Sequence, residues 1–283
     1  MIADEKDFIT PHITDSHTLD YPCLNKGFVC EYELPHWQPI HIGNFVLDIS
    51  PTRHVVMLWI AALLCLVVTL LALRAHKQRT ETGRAPRGLG NALEAVLLYL
   101  RNEVILPNVG PHGNAFVPYL ITIFFFILFA NLLGLVPYGS TATGNVSVTA
   151  TLAVIAFVVI EIAGMRALGK DYISTIFYWP HDMPVWGRIP MTLIMTPVEL
   201  LGKFTKPFAL SIRLFANMTA GHVMVLALIS IVFMFGSWLV GILPIVAAVG
   251  IMCLELFVAA LQAYVFTLLV SSFIGQIRTA EHH

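Results

Sequence analysis

Charged residues are scarce in this sequence, and several motifs of soluble enzymes are missing. Of 283 residues, only 12% are charged and 57% are hydrophobic, whereas an average soluble domain has about 25% charged residues. This composition excludes an ordinary soluble domain and indicates an integral membrane protein. A formal net charge of −1 gives no electrostatic support for nucleic-acid binding. The sequence has no glycine-rich phosphate loop and no HExxH metal motif.

Cysteine is also rare, with four residues in the chain. Cys65 and Cys253 lie in apolar stretches, where a small buried hydrophobic side chain is the simplest interpretation. Cys23 and Cys30 lie seven positions apart in the polar N-terminal segment. They could form a disulfide if that segment faces an oxidising compartment, and the sequence leaves this open. Neither a metal site nor a cofactor is predicted, because the scattered N-terminal histidines fit no ligand spacing.

The N-terminal segment, residues 1–52, is polar and acidic, with eight acidic side chains and two lysines in its first 50 residues. We expect it to be a loosely structured segment outside the membrane. Residues 55–73 then form a stretch of nineteen residues without a charge, which is long enough to cross a hydrocarbon core of about 30 Å. Basic residues between positions 74 and 87 mark the cytoplasmic side. The N-terminus is therefore expected outside the cytoplasm.

The rest of the chain, residues 53–283, is predicted to form an all-α membrane domain with five transmembrane helices. Residues 91–106 have apolar side chains at helical spacing with charges between them, which is typical of an amphipathic helix at the cytoplasmic interface. The last two apolar stretches exceed the bilayer core, so either their first residues follow the interface or both belong to a long, tilted helical hairpin. The C-terminus is expected in the cytoplasm. The predicted spans are residues 55–73, 115–136, 146–168, 190–235 and 242–277.

Arg213 lies near the middle of the fourth span. An arginine at bilayer depth costs at least about 2.5–3.5 kcal/mol by insertion scales, and its guanidinium stays charged. We therefore expect a functional role, with a carboxylate passing close to it. In an antiparallel hairpin centred near residue 238, Arg213 is predicted level with Gln262, and His222 level with Glu255.

His222 and Glu255 either belong to a proton-accessible path or only pair to hold two helices together. Nine residues at 100° each place His222 opposite Arg213 on a regular helix, so a straight hairpin cannot make both predicted pairs touch. Either the helix bends, or His222 faces a water path while Arg213 faces a partner. The sequence does not decide between these alternatives.

Nearer the cytoplasm, the fourth span carries acidic and basic side chains at helical spacing. This polar stripe could line an exit to the cytoplasm, or its lysines could extend to the interface as ordinary snorkelling side chains. In the third span, Glu161 is interpreted as an interfacial acid paired with Arg166 or with another helix. The residues of the stripe are Glu199, Lys203, Lys206 and Arg213.

The run SIRLFANMTAGH, residues 211–222, resembles the signature of subunit a of the F-type ATP synthase. The resemblance extends through residues 116–118, 131–137 and 261–266, and covers roughly residues 55–278. It implies proton translocation through two half-channels that serve the carboxylates of a rotating ring. The implied roles are entry of protons past His222 and Glu255, exit past Glu199, separation of the half-channels by Arg213, and positioning of Arg213 or nearby water by Asn217 and Gln262.

The resemblance also implies partners and a location. The partners would be the proteolipid ring of subunit c, the peripheral stalk subunit b and the lipid bilayer, within a hetero-oligomeric ATP synthase of the bacterial inner membrane. The chain itself would not be catalytic. In some relatives the carboxylate and the histidine stand at the opposite positions from His222 and Glu255, an exchange that preserves the pair. The alternative is a stand-alone ion-coupled carrier or channel, which would use the same buried charges without a rotor.

Overall fold

A computed structural model describes residues 15–21, 30–37, 40–42, 45–47, 50–82, 88–111, 113–136, 139, 141–175, 184–235 and 238–279. Most of this part of the chain is helical. The helices, in chain order, are α1 (Arg53–Thr82), α2 (Leu89–Tyr99), α3 (Leu106–Val109), α4 (Val117–Leu135), α5 (Val146–Leu168), α6 (Val185–Phe235) and α7 (Trp238–Thr279).

Five helices in the described ranges are long and apolar enough to cross a membrane. A nearly uncharged stretch of about 20 residues is long enough to cross the hydrocarbon core. As a helix, it also pairs its backbone N–H and C=O groups internally, which lipid requires because it offers no hydrogen-bond partners. The prediction of an all-α membrane protein with five spans is therefore confirmed. The observed spans are Arg53–Arg74, Val117–Leu135, Val146–Leu168, Ile189–Val232 and Gly241–Arg278.

The last two helices are each continuous over their full length. Helix α6 has 51 residues and α7 has 42, which correspond to about 77 Å and 63 Å at 1.5 Å per residue. Helix α6 contains three prolines, Pro190, Pro197 and Pro207, each of which removes one backbone hydrogen bond without ending the helix. Both helices exceed a bilayer core of about 30 Å.

The predicted amphipathic helix at residues 91–106 corresponds to α2, a π-helical segment at Leu100–Ile105, and α3. This helical stretch ends at Gly110, whose φ of 79° lies in the left-handed region that favours glycine. Arg278 near the end of α7 donates hydrogen bonds to the carbonyls of Val109, at 3.3 Å, and Pro111, at 2.7 Å. These contacts fix the end of the helical stretch against α7.

The described chain forms two compact units. The described residues of the first unit lie within Met1–Leu73, Phe125–Asn145 and Leu214–Ala263, and those of the second lie within Arg74–Phe124, Val146–Arg213 and Tyr264–His283. Helices α1, α4, α6 and α7 contribute residues to both.

The N-terminal segment contains two antiparallel β-hairpins that the sequence did not predict. Strand β1 (Thr18–Tyr21) pairs with β2 (Cys30–Glu33), and β3 (Ile40–Ile42) pairs with β4 (Phe45–Leu47). These strands are short but rich in the β-branched and aromatic residues that favour sheets. Cys23 lies outside the described residues, so the question of its disulfide with Cys30 stays open.

The first hairpin is attached to the start of α1. The backbone N–H of Arg53 donates to the carbonyl of Ser16 at 2.9 Å. The carboxylate of Asp15 accepts the backbone N–H of His54 at 3.5 Å and lies 3.8 Å from the His54 ring nitrogen Nε2. An acceptor at this place satisfies a donor that the first turn of a helix leaves free. The N-terminal segment is therefore anchored to the first span rather than loosely structured throughout.

Candidate functional site

In the first unit, α6 and α7 bring two predicted site residues into direct contact. Asn217 Nδ2 donates a hydrogen bond of 3.0 Å to Gln262 Oε1. Gln262 is only 1% exposed, and its Nε2 has no hydrogen-bond partner among the described residues. A buried amide donor without an acceptor is unfavourable by roughly 1–3 kcal/mol. This position is therefore suited to bind a water molecule or a polar group that the chain itself does not supply.

Glu255 lies against the backbone of α6 at Gly221. Its side chain is buried, with 6% exposure. A Cβ at Gly221 would lie 2.7 Å from both Cγ and Cδ of Glu255, so any larger residue there would displace the carboxylate. His222 follows Gly221 directly on α6 and is half-buried. The structure thus places Glu255 beside the residue that precedes its predicted partner, His222.

A second polar group of the first unit surrounds Asn131 of α4. The Nδ2 group of this fully buried side chain donates to the carbonyl of Ala259 in α7 at 3.3 Å, and its Oδ1 accepts from Thr143 Oγ1 at 2.7 Å. Thr219 Oγ1 of α6 is buried without a hydrogen-bond partner in the described part of the chain, near Gly144. No role was predicted for Asn131 from the sequence, although an amide within an apolar span is a signal of one.

Arg213 belongs to the second unit and has an exposed side chain. Two positions earlier on α6, Ser211 Oγ donates to Thr149 Oγ1 of α5 at 3.2 Å in a buried contact. Successive residues turn by 100°, so a helix held at Ser211 directs Arg213 to the other side. Within the described part of this unit, no carboxylate lies within 4 Å of the Arg213 guanidinium.

A cavity of about 300 Å³ lies beside Arg213. A second cavity of about 200 Å³ contains Glu199, and the two share Lys206 and Phe273 as lining residues. The predicted polar stripe from Glu199 to Arg213 therefore follows two neighbouring cavities of the second unit. The wall of the second cavity is formed by Phe157, Ile160, Glu161, Thr175, Glu199, Gly202, Lys203, Lys206, Pro207, Phe273, Gln276 and Ile277.

Lys203 is held by residues of α5 and of the 3₁₀ segment that follows it, Gly169–Thr175. Its Nζ lies 3.5 Å from Glu161 Oε2 and donates to Tyr172 Oη at 3.1 Å and to Thr175 Oγ1 at 3.2 Å. It also lies 4.5 Å from the centre of the Tyr172 ring. Of the two predicted pairings for Glu161, the one with another helix is therefore present.

Lys206 is held by α7. Its Nζ donates to Gln276 Oε1 at 3.5 Å and lies 4.7 Å from the centre of the Phe273 ring. Glu199 is exposed, and no hydrogen-bond or ion-pair partner of its side chain is found among the described residues. The predicted pair of Arg213 with Gln262 joins residues of different units and stays a prediction.

Comparison with known proteins gives one family over most of the chain. A family model described as ATP synthase A chain matches residues 55–275. The chain is 46% identical over 277 residues to ATP synthase subunit a 2 of Chlorobaculum tepidum, covering 96% of this chain and 74% of the relative. It is 41% identical over 273 residues to ATP synthase subunit a of Chloroherpeton thalassium, covering 96% and 77%. The corresponding protein of Anaeromyxobacter dehalogenans is 44% identical over 268 residues, with 93% and 68% covered.

Proposed function

Because the chain belongs to the ATP synthase A chain family, we propose that it is the proton-translocating stator subunit of a rotary F-type ATP synthase. It provides two half-channels to the carboxylates of a rotating ring of proteolipid subunits, subunit c. It is not catalytic by itself, and its task in ATP synthesis is to conduct protons. The observation that carries the proposal is Arg213, an exposed guanidinium on a long membrane helix with no carboxylate within 4 Å in the described part of its own unit.

Protons enter through the polar residues of the first unit. Histidine side chains such as that of His222 can exchange protons near neutral pH, and Glu255 is buried against Gly221, the residue before His222 on α6. The hydrogen-bonded amides Asn217 and Gln262 bind water at the inner end of the path, because the Gln262 Nε2 donor has no acceptor among the described residues. A proton that reaches this point neutralises the carboxylate of a ring subunit.

Arg213 separates the two half-channels. Its permanent charge favours the ionised form of any carboxylate that passes within about 4–6 Å, so each ring carboxylate must release its proton before it passes. The proton then leaves through the cavity that contains Glu199. The membrane potential contributes about 2.3 kcal/mol per charge for every 100 mV.

The orientation and the partners follow from the same proposal. The protein is a multi-pass subunit of the bacterial inner membrane, with its N-terminus outside and its C-terminus in the cytoplasm, as the basic residues after the first span favour. Helices of 51 and 42 residues fit a bilayer only if they are strongly tilted or partly interfacial. Its partners are the subunit c ring, the peripheral stalk subunit b and lipid.

The alternative is a stand-alone ion carrier or channel that needs no rotor. Purification in a mild detergent discriminates between the two, because the stator proposal requires a small proteolipid ring to co-purify with the chain. Isolation of a functional chain that conducts protons without any such partner would favour the alternative.

Substitution of Arg213 tests the proposal directly. Lysine keeps the charge but can lose its proton when it is desolvated, so we expect Arg213→Lys and Arg213→Ala both to abolish ATP-driven proton pumping in inverted membrane vesicles. We also expect Arg213→Ala to permit passive proton leak through the ring in vesicles stripped of the catalytic sector. Immunoblotting of the assembled complex is the control. Robust pumping by the assembled lysine variant would contradict the separator role.

A further inference from the structure

Glu199 and Lys203 are four residues apart on α6, a spacing at which a glutamate and a following lysine can pair on the same helix face. In this structure the ammonium of Lys203 is bound elsewhere, by Glu161, Tyr172 and Thr175. These three oxygen atoms match the three N–H donors of an ammonium. Glu199 is left exposed, with no cation paired to it in the described part of the chain.

The contact of Lys203 with Glu161 is more strongly held than a surface ion pair. The two side chains are only 14% and 17% exposed, and the Tyr172 ring lies 4.5 Å from the ammonium. Low exposure reduces screening, and a cation over an aromatic ring gains further attraction. Release of Lys203 toward Glu199 would therefore break several favourable contacts at once.

We propose that Glu161 is a positioning residue that holds Lys203 against α5 and thereby keeps the Glu199 carboxylate free to exchange protons with the cavity. This inference rests on the proposed function, in which protons leave past Glu199. Without Glu161, the lysine can turn to its neighbour on α6. A carboxylate beside an ammonium gives up its proton more readily and takes one up less readily.

Among the described residues, few other ionisable groups face this cavity. From α6 itself come Lys203 and Lys206, and from α5 comes Glu161. The 3₁₀ segment contributes Thr175 to the wall and the Tyr172 phenol to the lysine contact, whereas the lining residues of α7 are not ionisable. Lys206 is occupied by Gln276 and Phe273. Lys203 is therefore the cation that a change at Glu161 would redirect.

The first test measures protonation of Glu199 without reference to transport. A water-soluble carbodiimide reacts with protonated carboxyl groups, and peptide mass spectrometry of the assembled complex locates the modification at Glu199. We expect Glu161→Gln to slow modification of Glu199 about tenfold. An ammonium that moves beside a carboxylate lowers the fraction of that carboxylate that is protonated by about this factor or more. The double variant Glu161→Gln with Lys203→Gln should return to the rate of the unmodified protein.

The second test is ATP-driven pumping in inverted vesicles as a function of the pH on the cytoplasmic side. During ATP-driven pumping, Glu199 must take up protons from the cytoplasmic side. If Glu199 ionises more readily, a lower pH on that side is needed to protonate it. We expect the pH of half-maximal pumping to fall by about one unit in Glu161→Gln and to recover in the double variant. Glu103→Gln is a matched control, because this exposed glutamate of the second unit does not line the cavity.

The possible outcomes separate the two proposals. If Glu199→Gln abolishes pumping but Glu161→Gln changes neither the modification rate nor the pH midpoint in an assembled complex, the positioning role is wrong and the exit past Glu199 stands. If Glu199→Gln pumps normally, the exit assignment and this inference are both wrong. Should Glu161→Gln fail to assemble, Thr175→Val removes one Lys203 acceptor more gently. It should shift both measurements in the same direction by a smaller amount, and no shift would overturn the inference.

Discussion

Replacement of Gly221 by alanine tests how closely the Glu255 carboxylate must approach α6. A Cβ at this position would lie 2.7 Å from Cγ and Cδ of Glu255, whereas ordinary van der Waals contact begins at 3.4 Å. Because Oε1 of Glu255 would lie closer still, the carboxylate would have to retreat by at least about 0.7 Å to restore normal contact. Proton transfer requires heavy atoms within about 2.6–3.2 Å of each other, so a displacement of this size is enough to move the carboxylate out of reach of a neighbouring proton donor or acceptor.

The same substitution should affect stability only modestly. Alanine is more favourable than glycine in a helix by about 0.8–1.0 kcal/mol, while an added methyl group in a packed site costs roughly 1–3 kcal/mol. The two effects leave a net loss of about 0–2 kcal/mol, which should permit assembly. We therefore expect Gly221→Ala to reduce proton conduction at least tenfold in a complex present at nearly normal amounts.

The assay is proton conduction in stripped vesicles and ATP-driven pumping in intact inverted vesicles, normalised to the amount of assembled complex. Gly250→Ala of α7 is the matched control, because a Cβ there would meet nothing within 4 Å. Shortening the acid in Gly221→Ala with Glu255→Asp should recover part of the lost conduction, since the shorter side chain makes room for the methyl group. Normal conduction by assembled Gly221→Ala would refute the argument that this close approach matters.

Two further predictions concern the proton path and the orientation of the chain. His222→Ala and Glu255→Ala should each slow passive proton conduction, and the double variant should be less than additive if both act on one path; strict additivity would indicate independent roles. In a protein whose native cysteines are replaced by serine, a cysteine at Asp20 should react with an impermeant reagent from outside, and one at Thr80 from the cytoplasmic side. Reaction of both positions from the same side would contradict the five-span topology.

The sequence alone was sufficient to predict the membrane helices, because their signal is local. A run of about 20 residues without charges is enough to identify a span, and the predicted and observed third spans coincide at residues 146–168. The N-terminal hairpins were missed because their strands have three or four residues, too few for a clear alternating pattern. The attachment of Asp15 to the start of α1 joins residues 39 positions apart, a contact that no periodicity reveals.

The sequence predicted which levels of the last two helices meet more closely than it predicted individual side-chain contacts, and the roles of the site residues stay predictions. Matching positions across the hairpin placed His222 level with Glu255, and the structure puts Glu255 beside Gly221, one residue away. Helical spacing placed Glu199 and Lys203 in one polar stripe of α6, but Lys203 contacts Glu161 of another helix. A spacing rule indicates which side chains share a face, whereas the partner that an ammonium chooses depends on acceptors from elements distant in sequence.

The two sides of α6 around Arg213 differ in how fully the chain itself covers them. Leu210 and Ser211 are buried, and Ser211 is hydrogen-bonded to α5, so this side is already occupied. Phe208 and Ile212 are exposed together with Arg213. Apolar side chains alone could face lipid at no cost, but a guanidinium among them could not, since it cannot lose its charge. The function proposed above supplies a partner for this side of α6 that is apolar over most of its surface and carries a carboxylate at the depth of Arg213. A ring whose subunits each present one carboxylate has both properties.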